Sequence, residues 1–320
     1  MPGIFQSLDI ARKAIWASRL GMDVASHNIA NVNTPGYSRQ QVDLEAALPL
    51  GMVEGQLGMG VKVSTIKRIR SQLLDFQFRR ANRDLGKAQI KENILSQIES
   101  VIQEPSDSSI GSLLNEFFDQ FSALASDPEN SAVRNTLLQK SQALVNTFRS
   151  RREQLVEIQN TLRNEVQTTV QKVNQLSKQL ADINRQIGSS EVNNSIANDL
   201  RDKRDLILDK LSELVGIQYK EDQYGRVSVS AEGVSLVSGD FSNQLTVNIS
   251  KQDGQFQIEI QTQSGGKVTF AGGQLGGIME MHNRFISGSL EKLDNLARSL
   301  IEEVNRVHRA GKGLPAGNPP

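Results

Sequence analysis

The sequence predicts a mainly α fold with a small β region (α+β), arranged as a long antiparallel helical bundle or rod. An antiparallel β region joins it, with a separate amino-terminal helix of coiled-coil type. Three observations carry this. Glu129 to Ile187 contains neither Pro nor Gly and keeps a near-heptad apolar seam. From Ile217 to Phe270 the apolar pattern changes from helical to alternating. At the amino terminus, Ile4, Leu8, Ala11, Ile15, Ser18, Met22, Ala25 and Ile29 alternate spacings of four and three, and Ser18 alone among them is polar.

The amino-terminal stripe implies a helix of roughly 26 residues, about 40 Å long. Asp9, Arg12, Lys13, Arg19, Asp23 and Asn28 lie between its apolar positions, so one narrow seam runs along a solvated helix and requires a partner. The helix meets Asn31, Asn33 and Thr34-Pro35-Gly36-Tyr37. Pro presets φ at the second turn position and Gly permits positive φ at the third, which predicts a type II turn. Such a turn serves as a helix stop and redirects the chain away from the helix axis.

Ser38 to Leu57 is a polar and aliphatic stretch, and Val61 to Ile66 alternates as a short strand. Because a strand follows Gly58-Met59-Gly60, the phosphate-loop pattern fails for lack of a helix amino terminus. Helical patterns return through Leu73, Leu74, Phe76 and Phe78, then Ile90, Ile94, Ile98 and Val101, closed by Pro105. Another runs from Ile110 to Leu124. Asp127 is placed to cap the next helix with Pro128 at its first position, and Gly188 is placed to stop it after about 50 residues, or about 75 Å. A helix from Ile196 to Leu214 should turn Leu200, Leu206 or Ile207, Leu211 and Leu214 inward. Strand-like runs at 225–229, 245–249, 256–260 and 267–270 predict one small antiparallel sheet. A four-three stripe from Ile286 to Val307 returns to helix before the Gly/Pro-rich tail. The predicted division is therefore 1–36, helix and turn; 37–216, helical rod; 217–275, β region; 276–310, returning helix; and 311–320, tail.

Composition narrows the function. Lys plus Arg and Asp plus Glu both number 36, and a neutral chain lacks the basic excess that nucleic-acid backbones demand. There is no cysteine, which removes disulfides, thiolate metal sites and thiol nucleophiles. His27, His282 and His308 fall in different elements without ligand spacing, and no Ser, His and carboxylate set or paired acids stand out. No catalytic, cofactor-binding or metal-binding residue is predicted, nor any membrane span. The amino terminus lacks a secretory signal pattern. The basic cluster Lys67, Arg68, Arg70, Arg79, Arg80 and Arg83 reads as a solvated face.

The run from Ala25 to Gln40, ASHNIANVNTPGYSRQ, resembles the signature of axial proteins of the bacterial flagellum. Its end, Tyr37-Ser38-Arg39-Gln40, is most similar to the hook-associated protein 1 family. Three later stretches follow that family's order: Phe117-Phe118 with Asp127-Pro128-Glu129; Ala197 to Asp205 with Leu211 to Gly216; and Gly273 to Gly277 with Glu303 to His308. The resemblance implies a self-assembling structural adaptor at the hook-filament junction, with no enzymatic role. It further implies as partners the flagellar hook protein, a second junction protein, copies of itself, and an export chaperone acting through a region absent here. Localisation would be the extracellular flagellum, reached by the flagellar type III pathway without signal cleavage. The implied assembly seam is Ile4, Leu8, Ala11, Ile15, Met22, Ala25 and Ile29, and the axial signature turn is Asn28, Asn31, Asn33, Thr34, Pro35, Gly36 and Tyr37. Family members continue into a variable domain and a returning carboxy-terminal helix, so the Gly/Pro tail reads as a fragment end, a truncation or a variant. The competing expectations are a rod or hook subunit, disfavoured by the long helices, and a secreted coiled-coil binding module, which predicts discrete oligomers.

Overall fold

The computed structural model describes residues 4–52, 55–102, 106, 109–191, 196–252 and 255–311. The expected stop at Pro105 and residues 312–320 of the tail lie outside these. In chain order the elements are α1 (Ile4–Ala30), β1 (Gln40–Ala46), β2 (Leu50–Met52), β3 (Gly55–Leu57), β4 (Val61–Arg68), α2 (Gln72–Ile102), α3 (Ile110–Ser126), α4 (Ser131–Ser190) and α5 (Asn198–Leu214). They continue with β5 (Ile217–Glu221), β6 (Val227–Ala231), β7 (Val234–Ser238), β8 (Phe241–Ser242), β9 (Leu245–Gln252), β10 (Gln255–Thr262), β11 (Lys267–Val268) and α6 (Gly273–Glu280). A π-helical turn, Met281–Ile286, leads into α7 (Ser287–Ala310).

The chain forms two compact units. The first comprises residues 1–86, 169–246 and 260–275, and the second 87–168, 247–259 and 276–320. In the first unit β1 pairs antiparallel with β4, with an irregularity between Asp43 and Leu44, and β2 pairs with β3. Strands β5 to β8 form a meander in sequence order. Its inward side chains Val227, Val229, Leu236 and Val237 are buried, as are Leu208 and Leu211 of α5. The buried side chains of the second unit include Ile94 and Ile98 of α2, Leu162 and Val166 of α4, and Ile278, Met281 and Ile286 around the π-helical turn.

Several local expectations are corrected. Helix α4 has 60 residues, about 90 Å at helical rise, and runs through Gly188, which does not stop it. Asn130, rather than Asp127, caps it: the Asn130 Oδ1 accepts the Ala132 and Val133 N–H groups at 3.0 and 3.4 Å. Asp127 instead accepts the Asn130 side-chain amide, and Pro128 stays in the preceding turn.

The α4 seam is buried at Leu155, Ile158, Leu162, Val166, Val170, Val173, Leu180 and Ile187, while Leu176 and Ile183 are half-buried and Ser177, Ala181 and Asn184 join the buried face. An α-helix drifts about 20° per heptad, so a straight buried face spreads beyond the heptad positions after a few turns. Asn184 shows what this achieves: it donates to the Val227 and Gly239 carbonyls and accepts the Val227 N–H, ending the meander on the helix. Finally, the expected single sheet is two, the β5–β8 meander and a three-stranded sheet in the order β11-β10-β9.

Candidate functional site

Helix α1 has two working faces. Ile10, Ala17 and Val24, seven residues apart, turn toward the β1/β4 pair; Ala17 and Val24 are buried, and Ile10 meets Gly60. The heptad seam lies on a different face. Ile4, Leu8, Ile15, Met22 and Ile29 are 64–87% exposed, and Ala11 and Ala25 are exposed as well. One amphipathic helix thus packs on its own hairpin while leaving a second apolar stripe open. A groove of about 470 Å³ runs between helix and hairpin, lined by the small residues Ala14, Ala17, Ser18 and Gly21.

The turn after α1 is closed as its residue types require. The Tyr37 N–H donates to the Thr34 carbonyl at 3.1 Å, and Gly36 sits at φ 81°, which is the type II geometry. Asn28 then does what a strand would do. Its Oδ1 accepts the Tyr37 hydroxyl at 2.7 Å and the Gln40 N–H at 2.8 Å, while its amide donates to the Gln40 carbonyl at 2.9 Å. Burial, followed by the negative charges of Asp199 and Asp202, raises the Tyr37 pKa and keeps the phenol a donor. Asn31 donates to the His27 carbonyl and accepts the Thr34 hydroxyl. Asn33 and Pro35 are exposed, Pro35 setting the turn geometry.

A buried charge cluster ties the start of the hairpin to α5, and it overturns the solvated-face reading of the basic residues. Asp202 accepts the Ser38 N–H at 2.9 Å and Arg68 at 2.7 Å. Asp205 also binds Arg68 at 2.8 Å and lies 3.2–3.6 Å from Arg204, Arg70 and Arg79. Arg70 pairs with Asp75, Arg79 with Asp209, and Arg204 with Glu221. Arg79, Arg204, Asp202 and Asp205 are all buried. Burial pushes the Asp205 pKa up, but the attractions of Arg204, Arg68 and Arg70 outweigh it and the net direction is down. Burial prevails at Asp209, whose pKa is raised despite Arg79. Of the basic cluster, Lys67 and Arg80 do lie at the surface, Lys67 pairing with Asp43.

Around this cluster, Asn198 donates to the Ile66 carbonyl, Gln40 to Asp199, and Leu206 packs against Gly36. These contacts, like those of Ser38 and Arg68, end on α5, while the Asn28 bonds to Gln40 tie the hairpin to α1. The stretch Ala197 to Asp205 stands out in the sequence, but its acids' partners do not, since apart from neighbouring Arg204 they lie at least 126 residues away. Among the described residues, no group of three or more His, Asp or Glu is placed to hold a metal ion, and no helix is long and apolar enough to cross a membrane.

A helix with an open heptad stripe, joined through an Asn-Thr-Pro-Gly turn to a hairpin clamped on α5, is shared with structural proteins of the bacterial flagellum, as the family matches show. Residues 8–37 match the family of the flagella basal body rod protein. Residues 95–319 match the helical domain of the flagellar hook-associated protein FlgK, and the chain belongs to that family. It is 32% identical over 354 aligned residues to flagellar hook-associated protein 1 of Bacillus subtilis (strain 168), covering 97% of this chain and 68% of that protein. The corresponding protein of Escherichia coli (strain K12) is 27% identical over 310 residues, covering 94% of this chain and 56% of the relative. The chain thus spans about two thirds of the first relative's length and little more than half of the second's. The solved structure of the flagellar hook junction protein FlgK from Burkholderia pseudomallei shares the fold, with a TM-score of 0.59 at 22% identity, over 66% of this chain and 39% of that one.

Proposed function

We propose that this chain is the amino-terminal portion of a non-enzymatic adaptor at the hook-filament junction, and that the exposed seam of α1 is its assembly surface. The observation that carries the reading is the second apolar face of α1: the helix is already satisfied on its hairpin, yet Ile4, Leu8, Ile15, Met22 and Ile29 remain exposed. Apolar side chains repeated at four-three spacing bury themselves when another helix packs along them. The turn and the α5 clamp serve this role by fixing where the helix leaves the body. The hook protein, a second junction protein and copies of the chain are the partners this reading requires. An export chaperone is a further partner, and export runs through the flagellar type III pathway to the cell exterior.

The match to the FlgK helical domain over residues 95–319 favours this reading over a rod or hook subunit, with which the likeness is confined to residues 8–37. The test is Leu8→Asp combined with Ile15→Asp. Both side chains are mostly exposed, so thermal melting should be nearly unchanged while binding to isolated hooks, seen by electron microscopy, is abolished. Normal capping of hooks by the double variant refutes the assembly role. A discrete coiled-coil oligomer in solution that ignores hooks favours the binding module instead.

A further inference from the structure

We propose that His282 is a proton-operated release for the π-helical turn of the second unit, so that acidification opens the segment from α6 into the start of α7. His282 is wholly buried, whereas His27 and His308 are exposed. It is the second residue of the π-helical turn, flanked by buried Met281 and Ile286. Its Nδ1 lies 2.8 Å from the Asn283 Oδ1, which can only accept, so Nδ1 carries the proton of the neutral ring. The Nε2 is then a bare lone pair, buried and without a hydrogen-bond partner.

A second proton has nowhere to go. It would create a buried N–H at Nε2 with no acceptor, and the positive guanidinium of Arg163 on α4 would oppose the new charge. Arg163 donates through one terminal nitrogen to Asn160 and lies over the ring of Phe256 on β10, its centre 3.8 Å from the ring centroid, while its buried Nε has no hydrogen-bond partner. Among the described residues no carboxylate acts on the ring. Glu280, at the end of α6, is held by Lys87 and Lys91 of α2, which bring its pKa to about 2. The other groups of α4 and α7 that reach the turn are neutral: Gln159 donates to the Ser287 hydroxyl, which donates to the His282 carbonyl. On the turn Arg284 is exposed, as is Glu291 on α7.

Burial lowers the His282 pKa below 6.5, the Asn283 bond opposes this, and Arg163 adds to the lowering. The folded state therefore binds fewer protons than the open one at any pH where histidine titrates. Stability of the segment is fully present above about pH 6.5 and falls as pH drops below it, by at most about tenfold in the opening constant per pH unit for one proton. A π-helical turn is an irregularity within an otherwise α-helical run, and a local opening there does not require the rest of the chain to unfold.

The test is hydrogen exchange on the whole chain at pH 7.5 and 5.5, corrected for intrinsic rates, beside His282→Asn. Asn places an N–H near the position of Nδ1 and does not titrate. Residues 276–290 of the native chain should lose protection by several-fold to about tenfold, while peptides from the first unit change less and the variant shows no such dependence. Equal protection at both pH values, or the same loss in His282→Asn, overturns the proposal. Should the variant not fold, NMR titration of the native chain decides. A His282 ring titrating below 6.5 together with loss of protection supports the switch, and one titrating at or above 6.5 refutes it.

Discussion

Asp205→Asn is the sharpest test of the clamp. Asp205 is almost completely buried and is shared by four guanidinium groups: Arg68 at 2.8 Å, Arg204 at 3.2 Å, and Arg70 and Arg79 at 3.6 Å. The substitution preserves shape, removes the charge and turns one accepting oxygen into a donor aimed at donors. Removing one member of a buried ion pair costs about 3–5 kcal/mol. Here each guanidinium keeps another acid, namely Asp202, Glu221, Asp75 and Asp209 respectively, which places the expected loss at about 3 kcal/mol.

The dependence on pH is equally specific. The folded pKa of Asp205 lies below its ordinary 3.8, so its contribution is present above that value and is lost as pH falls through the folded pKa. Urea unfolding followed by far-ultraviolet circular dichroism should show a deficit that is constant from pH 8 to 5. It should begin to narrow below about pH 3.8, where the unfolded carboxylate protonates first, and stop narrowing once the native carboxylate protonates as well. A deficit under about 1 kcal/mol would mean that the cluster is screened like a surface pair and does not hold the hairpin to α5.

Two further predictions concern the turn. Asn28→Ala removes three hydrogen bonds at once, at about 1 kcal/mol net each, so a loss of about 2–3 kcal/mol is expected, with faster hydrogen exchange at Gln40. An unchanged Gln40 amide would show that the strand start does not depend on Asn28. Gly36→Ala meets both a positive φ and Leu206, whose Cβ would lie 3.1 Å from the new methyl. A thermal-melting loss of about 1–3 kcal/mol should follow, and Leu206→Ala in the same chain, which keeps Cβ but removes the Cδ2 and Cδ1 contacts at 3.3 and 3.4 Å, should recover part of it. If the double variant is no better than the sum of the two singles, the contact does not limit the turn.

Periodicity was sufficient where a property is local. The limits of α1, the type II turn at Thr34 to Tyr37, the strand at Val61 and the helix ending at Leu214 all follow from neighbours within a few residues. The axial signature and the absence of chemistry-bearing spacings likewise needed no coordinates to suggest an assembly protein. Cap identity was legible only in part. Asn130 and Asp127 are both competent caps three residues apart, and the choice fell to the one whose oxygen reaches the Ala132 and Val133 amides.

The partners of long-range charges were decided by the tertiary structure alone. Arg68, Arg70 and Arg79 look like a solvated basic face because charged groups usually stay in water. Arg79 is buried and Arg68 and Arg70 are half-buried because folding brings Asp202, Asp205 and Asp209 of α5 to them, and no spacing along the chain encodes that encounter. The two faces of α1 divide in the same way. The heptad seam is written in the sequence, whereas the packing of Ala17 and Val24 on the hairpin depends on where the turn and the clamp return β1, a choice made by contacts between segments.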